Sequence, residues 1–151
     1  MTRDEQLRTR QEVQERLIEY WWDVDRDSAA RAPEFYTDDC VYLMCGHRMD
    51  GPAAVKGYYD FRASRGSRLV RHVSTNMLVR VVASDVARLD GILSVYAADG
   101  VPVLASAPPI MVADTRCEFV RGSDGQWRFR LHEITPLFTG GVPVLAPPQR
   151  A

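Results

Sequence analysis

Residues 68–82 read Arg-Leu-Val-Arg-His-Val-Ser-Thr-Asn-Met-Leu-Val-Arg-Val-Val. The run is rich in β-branched and apolar residues and holds neither Pro nor Gly, which is the composition of a strand. Side chains alternate between faces along a strand. His72, Ser74 and Asn76 are therefore expected on one side, and Val73, Thr75, Met77, Val79 and Val81 on the other. The second side is a hydrophobic sheet surface. The first sets a base, a hydroxyl and an amide in a row, the beginning of a site if that row faces a cavity.

Downstream, residues 86–98, 110–121 and 126–135 carry long β patterns. Ala83-Ser84-Asp85, a Pro-rich loop and Gly122-Ser123-Asp124-Gly125 separate them. Upstream, residues 4–25 have helical periodicity, with Val13, Leu17, Tyr20, Trp21 and Val24 on one face. Asp27-Ser28 ends this helix or caps a short second one through Glu34-Phe35-Tyr36. Residues 40–44 form a strand, residues 46–51 a turn and short return, and Asp50-Gly51-Pro52 opens a helix reaching Arg62. Helices first and strands after them predict one α+β domain over residues 1–151: about three N-terminal helices against a strongly curved antiparallel or mixed sheet. The expected shape is a cone-shaped barrel enclosing a pocket, followed by an apolar tail over residues 136–151. Strands of ~12 residues greatly exceed the usual ~5–6, so bulges are expected along them.

The chain has 151 residues, 46% hydrophobic and 26% charged, with a formal net charge of -1 and no basic cluster. That composition argues against a nucleic-acid partner. No apolar signal core and no run of ~18 apolar residues is present, so no membrane partner is expected. Cys40, Cys45 and Cys117 form no CxxC pair and read as reduced packing residues, which suits a cytoplasmic location.

At about 100° per residue, the first helix puts Asp23 on its polar side but Asp25 between Ile18 and Trp21, at the edge of the apolar stripe. A carboxylate there needs a partner, because burying it alone costs several kcal/mol. Asp25 either caps the turn at Asp27-Ser28 or meets His72 on the facing strand. In the second arrangement the carboxylate fixes the imidazole tautomer and stabilises the imidazolium, so the other nitrogen can take a proton. No G-x-S-x-G element, phosphate loop or metal-ligand spacing accompanies these residues, and neither a metal nor a cofactor is expected.

Val24-Asp25-Arg26 at a helix end is followed by Gly51-Pro52-Ala53-Ala54-Val55, by Arg71-His72 with Asn76, and by Asp124-Gly125-Gln126-Trp127-Arg128-Phe129. Motifs in this order resemble the nuclear transport factor 2-like superfamily, and within it the SnoaL-like cyclases, dehydratases and isomerases. The layout is similar to those of the gamma-hexachlorocyclohexane dehydrochlorinase and scytalone dehydratase families. The resemblance implies a cavity in which Asp25 and His72 form an acid–base dyad. Tyr20 stands where the dehydrochlorinases have a lysine, and His132 near their arginine. A tyrosine and a second histidine suit protonation of a departing hydroxyl or an enolate oxygen better than release of chloride.

The expected catalytic set is Asp25, His72, Tyr20 and His132. Trp21, Tyr42, Leu43, Tyr59, Asn76, Met77 and Phe138 are the expected substrate-binding residues. Plainer roles remain open for some of them. Tyr20 suits the core, Asn76 a bulge, and His132 an exposed face shared with Arg128 and Arg130. The substrate class is a small, mostly apolar or ring-containing molecule. Three functions compete: a lyase or isomerase of the dehydratase type, a polyketide cyclase using the same base, and a non-catalytic binding or partner subunit. The apolar sheet face with Val73, Met77, Val79 and Val81 predicts a homodimer, with a trimer as the alternative.

Overall fold

Residues 1–141 are described by the computed structural model. Helix α1 (Arg3–Arg26) begins at a capping box, where the Thr2 hydroxyl accepts the Glu5 N–H and the Glu5 carboxylate accepts the Thr2 N–H. A single turn of 3-10 helix (Ala32–Phe35) leads into β1 (Tyr36–Met44) and β2 (His47–Asp50). Cys45 and Gly46 both have positive φ, as a tight two-residue hairpin requires. Helix α2 (Gly51–Ala63) starts with Pro52 in its first turn. Four long strands follow: β3 (Arg68–Ala83), β4 (Val86–Asp99), β5 (Met111–Arg121) and β6 (Trp127–Thr139).

The six strands form one mixed sheet in the order β2-β1-β6-β5-β4-β3, antiparallel throughout except where β1 runs parallel to β6. Helix α1 crosses β3, β4 and β6, while α2 packs on β1 and β2. The expected α+β class holds, with two corrections. There are two α-helices among the described residues rather than three, because Pro33 and the chain reversal at Ser28 and Ala29, both with positive φ, leave room for only one 3-10 turn. The sheet is also not a closed barrel: β2 and β3 are its two ends and do not pair. The long strands carry register shifts, as their length requires.

Two of those shifts decide which side chains face inward. In β3 the register slips between Thr75 and Leu78, where Asn76 adopts φ 52°. Val70, His72 and Ser74 face the helices before the bulge, and Met77 and Val79 do so after it. Val73, Leu78 and Val82 are exposed on the outer face. The simple alternation expected for this strand therefore fails beyond Thr75. In β6 the register slips opposite Glu118 and Phe119. Phe129 and His132 consequently share the inner face, and His132 is fully buried instead of lying beside Arg128 and Arg130 on a polar surface. The apolar tail expected from residue 136 begins as a continuation of β6 to Thr139, and its part from residue 142 lies outside the described residues.

Candidate active site

Asp25 sits in the last turn of α1, against the first half of β3. Its two oxygens accept from one residue: Oδ1 from His72 Nδ1 at 2.6 Å, and Oδ2 from the His72 backbone N–H at 2.8 Å. The Asp25 side chain is 3% exposed and that of His72 10%. Capping of the turn after α1 falls instead to Asp23, which is buried rather than solvated. Its carboxylate accepts the Arg31 N–H, and its carbonyl accepts those of Asp27 and Ala29. Burial raises the Asp23 pKa above its ordinary value.

With Nδ1–H given to Asp25, the lone pair of His72 is on Nε2, which has no hydrogen-bond partner among the described residues. The Trp21 ring stacks on the imidazole at 4.1 Å and 10°, holding its plane. Burial lowers the His72 pKa, and Asp25 opposes that shift. The resulting group is neutral near pH 7, fixed in tautomer and orientation, with one basic nitrogen available.

His72 belongs to the wall of a pocket between the helices and the inner face of the sheet. The pocket holds a narrow cavity of about 50 Å³ and opens to solvent through its mouth. Its lining, mostly aromatic and aliphatic with a few polar groups, has the character of a small-molecule site. Trp21, Tyr42, Tyr58 and Tyr59 line one side of it, and Val95, Met111 and Ile134 the other. The mouth is bordered by Arg62, Arg68 and the Gly100–Pro102 loop, and Asp25 lies along it.

A chain of buried hydroxyls backs this wall. Tyr36 donates to Tyr20 at 2.9 Å, Tyr36 also meets His132 Nδ1 at 2.8 Å, and Tyr20 bonds Tyr59. A phenol has one proton to give. Because Tyr36 gives its own to Tyr20, the proton in the bond to His132 belongs to Nδ1. Tyr42 is a further partner of Tyr59. Tyr59 ends this chain of hydroxyls and lines the pocket. Burial raises the pKa of Tyr20, Tyr36 and Tyr59, so all three are protonated. His132 lies between the rings of Tyr42 (4.4 Å) and Phe129 (4.5 Å), and burial pushes its pKa down to about 3.

Of the residues singled out from sequence, Asp25, His72, Trp21, Tyr42 and Tyr59 meet at the pocket, while Tyr20 and His132 lie one layer behind it. Four others lie elsewhere. Leu43 is on the opposite face of β1 from Tyr42, and Met77 packs beside Gln14 under α1. Phe138 is 70% exposed, and Asn76 borders an outer groove with Leu78 and Asp90. Sequence reasoning overlooked Tyr36 and Arg62. The place of Arg62, three and four positions after Tyr59 and Tyr58, was the available signal for it. Tyr36 had none, because its role depends on the parallel pairing of β1 with β6.

Among the described residues, no three His, Cys, Asp or Glu side chains converge as a metal site, and no helix is long and apolar enough to cross a membrane. The SnoaL-like domain family matches residues 5–132. A candidate scytalone dehydratase of Novosphingobium aromaticivorans superposes with a TM-score of 0.82 at 19% identity, covering 99% of each chain. A nuclear transport factor 2-like protein of the same organism, with a cystatin-like fold, reaches 0.70 at 25% identity, over 87% of this chain and 83% of its own. A candidate aromatic ring hydroxylase, also from that organism, reaches 0.74 at 20% identity, over 87% and 91%. No curated protein matches the sequence.

Proposed function

The chain belongs to the SnoaL-like domain family, and from that premise we propose that it is a cofactor-independent lyase or isomerase acting on a small, largely apolar molecule by general acid–base catalysis. One observation carries the reading: a histidine locked by a buried carboxylate, with its unpartnered Nε2 at the wall of a largely apolar pocket.

In the proposed reaction, His72 Nε2 takes a proton from a carbon next to a carbonyl or other acidifying group. Asp25 stabilises the imidazolium that forms. The C–H electron pair becomes a double bond as a hydroxyl leaves the neighbouring carbon. The Tyr59 proton joins that hydroxyl to make water, and Tyr20, Tyr36 and His132 share the charge left on Tyr59. Proton return from His72 to another carbon would complete an isomerisation instead. Tyr20 and His132 thus act through Tyr59, since burial keeps His132 neutral and both stand behind the wall.

The outer sheet face supports the proposal that two copies associate. Val73, Leu78, Val82 and Tyr96 are all more than 40% exposed there. The three cysteines are unpaired, in keeping with a cytoplasmic location.

The test is to incubate the protein with a cell extract in deuterated water and identify retained molecules by mass spectrometry. The reading expects a retained compound to lose water or to take up deuterium at carbon, and to do neither with His72→Ala. A retained compound that comes through unchanged with the wild type would identify a binding protein.

A further inference from the structure

Arg62 stands four positions after Tyr58 and three after Tyr59, the spacings that make side chains neighbours on one face of α2. All three belong to the pocket wall, and Arg62 also borders the mouth, so its guanidinium sits where the apolar chamber meets solvent. Arg62 is half-buried, and its side chain makes no hydrogen bond or ion pair with any described residue.

The neighbouring carboxylates are already engaged. Asp25 gives both oxygens to His72, Asp60 is paired with Lys56, and Asp99 holds Arg68 from the adjacent strand. The titratable groups near Arg62 are Tyr58 and Tyr59 on its own helix and His72 on β3, none of which is an anion at neutral pH. A guanidinium carries five donors in a fixed planar fork that matches a carboxylate, and partial burial strengthens such a bond. Leaving it without an anion at the rim of an apolar chamber forgoes that interaction.

We propose that Arg62 is the anion-binding subsite of this pocket and that the ligand is a ring-bearing monocarboxylate. Its apolar ring lies among Trp21, Tyr42, Val95 and Met111, and its carboxylate is held by Arg62 at the mouth. A single uncommitted guanidinium suits a monoanion. Phosphate esters share the oxyanion chemistry, but their second charge would call on Arg68, which Asp99 already pairs. The inference rests on the reading of this pocket as the substrate site and adds the class of substrate. Held in this way, the ligand keeps its reacting carbon inside the chamber, on the side of His72.

Binding of 2-naphthoate and its neutral counterpart 2-naphthamide, measured by calorimetry on the full chain, tests the proposal. The wild type should bind the acid roughly 10- to 100-fold more tightly than the amide, as expected for one charge-assisted contact, and the preference should shrink with added salt. In Arg62→Gln the preference should vanish while the amide binds as before. Arg62→Lys should keep part of it, and circular dichroism should show both variants folded. Equal binding of acid and amide by the wild type, or an undiminished preference in Arg62→Gln, overturns the subsite and leaves the apolar pocket standing. If neither probe binds the wild type, the subsite and the pocket reading fall together.

Discussion

Asp25 holds His72 at two points, through ring Nδ1 at 2.6 Å and through the backbone N–H of the same residue at 2.8 Å. The second bond matters as much as the first. It ties the carboxylate to β3 itself, so Oδ1 is held in place as the acceptor for the imidazole. An exposed Asp–His pair would contribute little. Here both side chains are almost wholly shielded, and the carboxylate has the partners that burial demands.

Tyr36→Phe should remove the hydroxyl that joins His132 to Tyr20 while leaving the ring stack in place. It strands a buried Nδ1–H, at a cost of about 1–3 kcal/mol. Urea denaturation measures this directly. A loss under ~0.5 kcal/mol would mean that the chain of hydroxyls does not hold the wall together.

His132 predicts an acid-sensitive fold. Its native pKa is pushed to about 3, below the ordinary histidine value, so the unfolded chain binds a proton that the folded chain refuses. Stability is then full above about pH 6.5 and is lost as pH falls toward about 3. The lowered pKa of His72 acts in the same direction, and the raised pKa of Asp23 partly offsets both near the acid end. Urea midpoints between pH 4 and 7 should fall more steeply for the wild type than for His132→Phe. Parallel slopes would contradict the assignment.

Light scattering at micromolar concentration should show a homo-oligomer, most simply a dimer, covering Val73, Leu78 and Val82. Leu78→Asp with Val82→Asp should yield a folded monomer. A wild-type monomer would leave that face without its proposed function.

Much of the layout was legible because long strands and an amphipathic helix announce themselves by period. The pairing of Asp25 with His72 was legible too: a carboxylate at the edge of an apolar stripe must find a partner, and a facing strand offered one. What failed did so at bulges. Alternation assigned Val81 correctly to a face with Val79 but placed that face opposite His72, since nothing in the sequence marks the register slip at Asn76 and Met77. A second slip in β6 turned His132 from a surface neighbour of Arg130 into a buried residue beneath Tyr42. The contact of Tyr36 with His132 spans 96 positions and two non-consecutive strands, which local patterning cannot reach.

The most direct test of the central claim is turnover by His72→Ala and Asp25→Asn beside the wild type, on the compound that the extract experiment identifies. Loss of a positioned general base should lower the rate by ~10²–10⁴-fold in His72→Ala. Asp25→Asn should cost a similar factor, because an amide cannot accept both bonds and release the right tautomer. Ligand affinity and the folded state should survive in both. Turnover persisting near the wild-type rate in both variants would contradict the account and leave Asp25 and His72 as a structural pair.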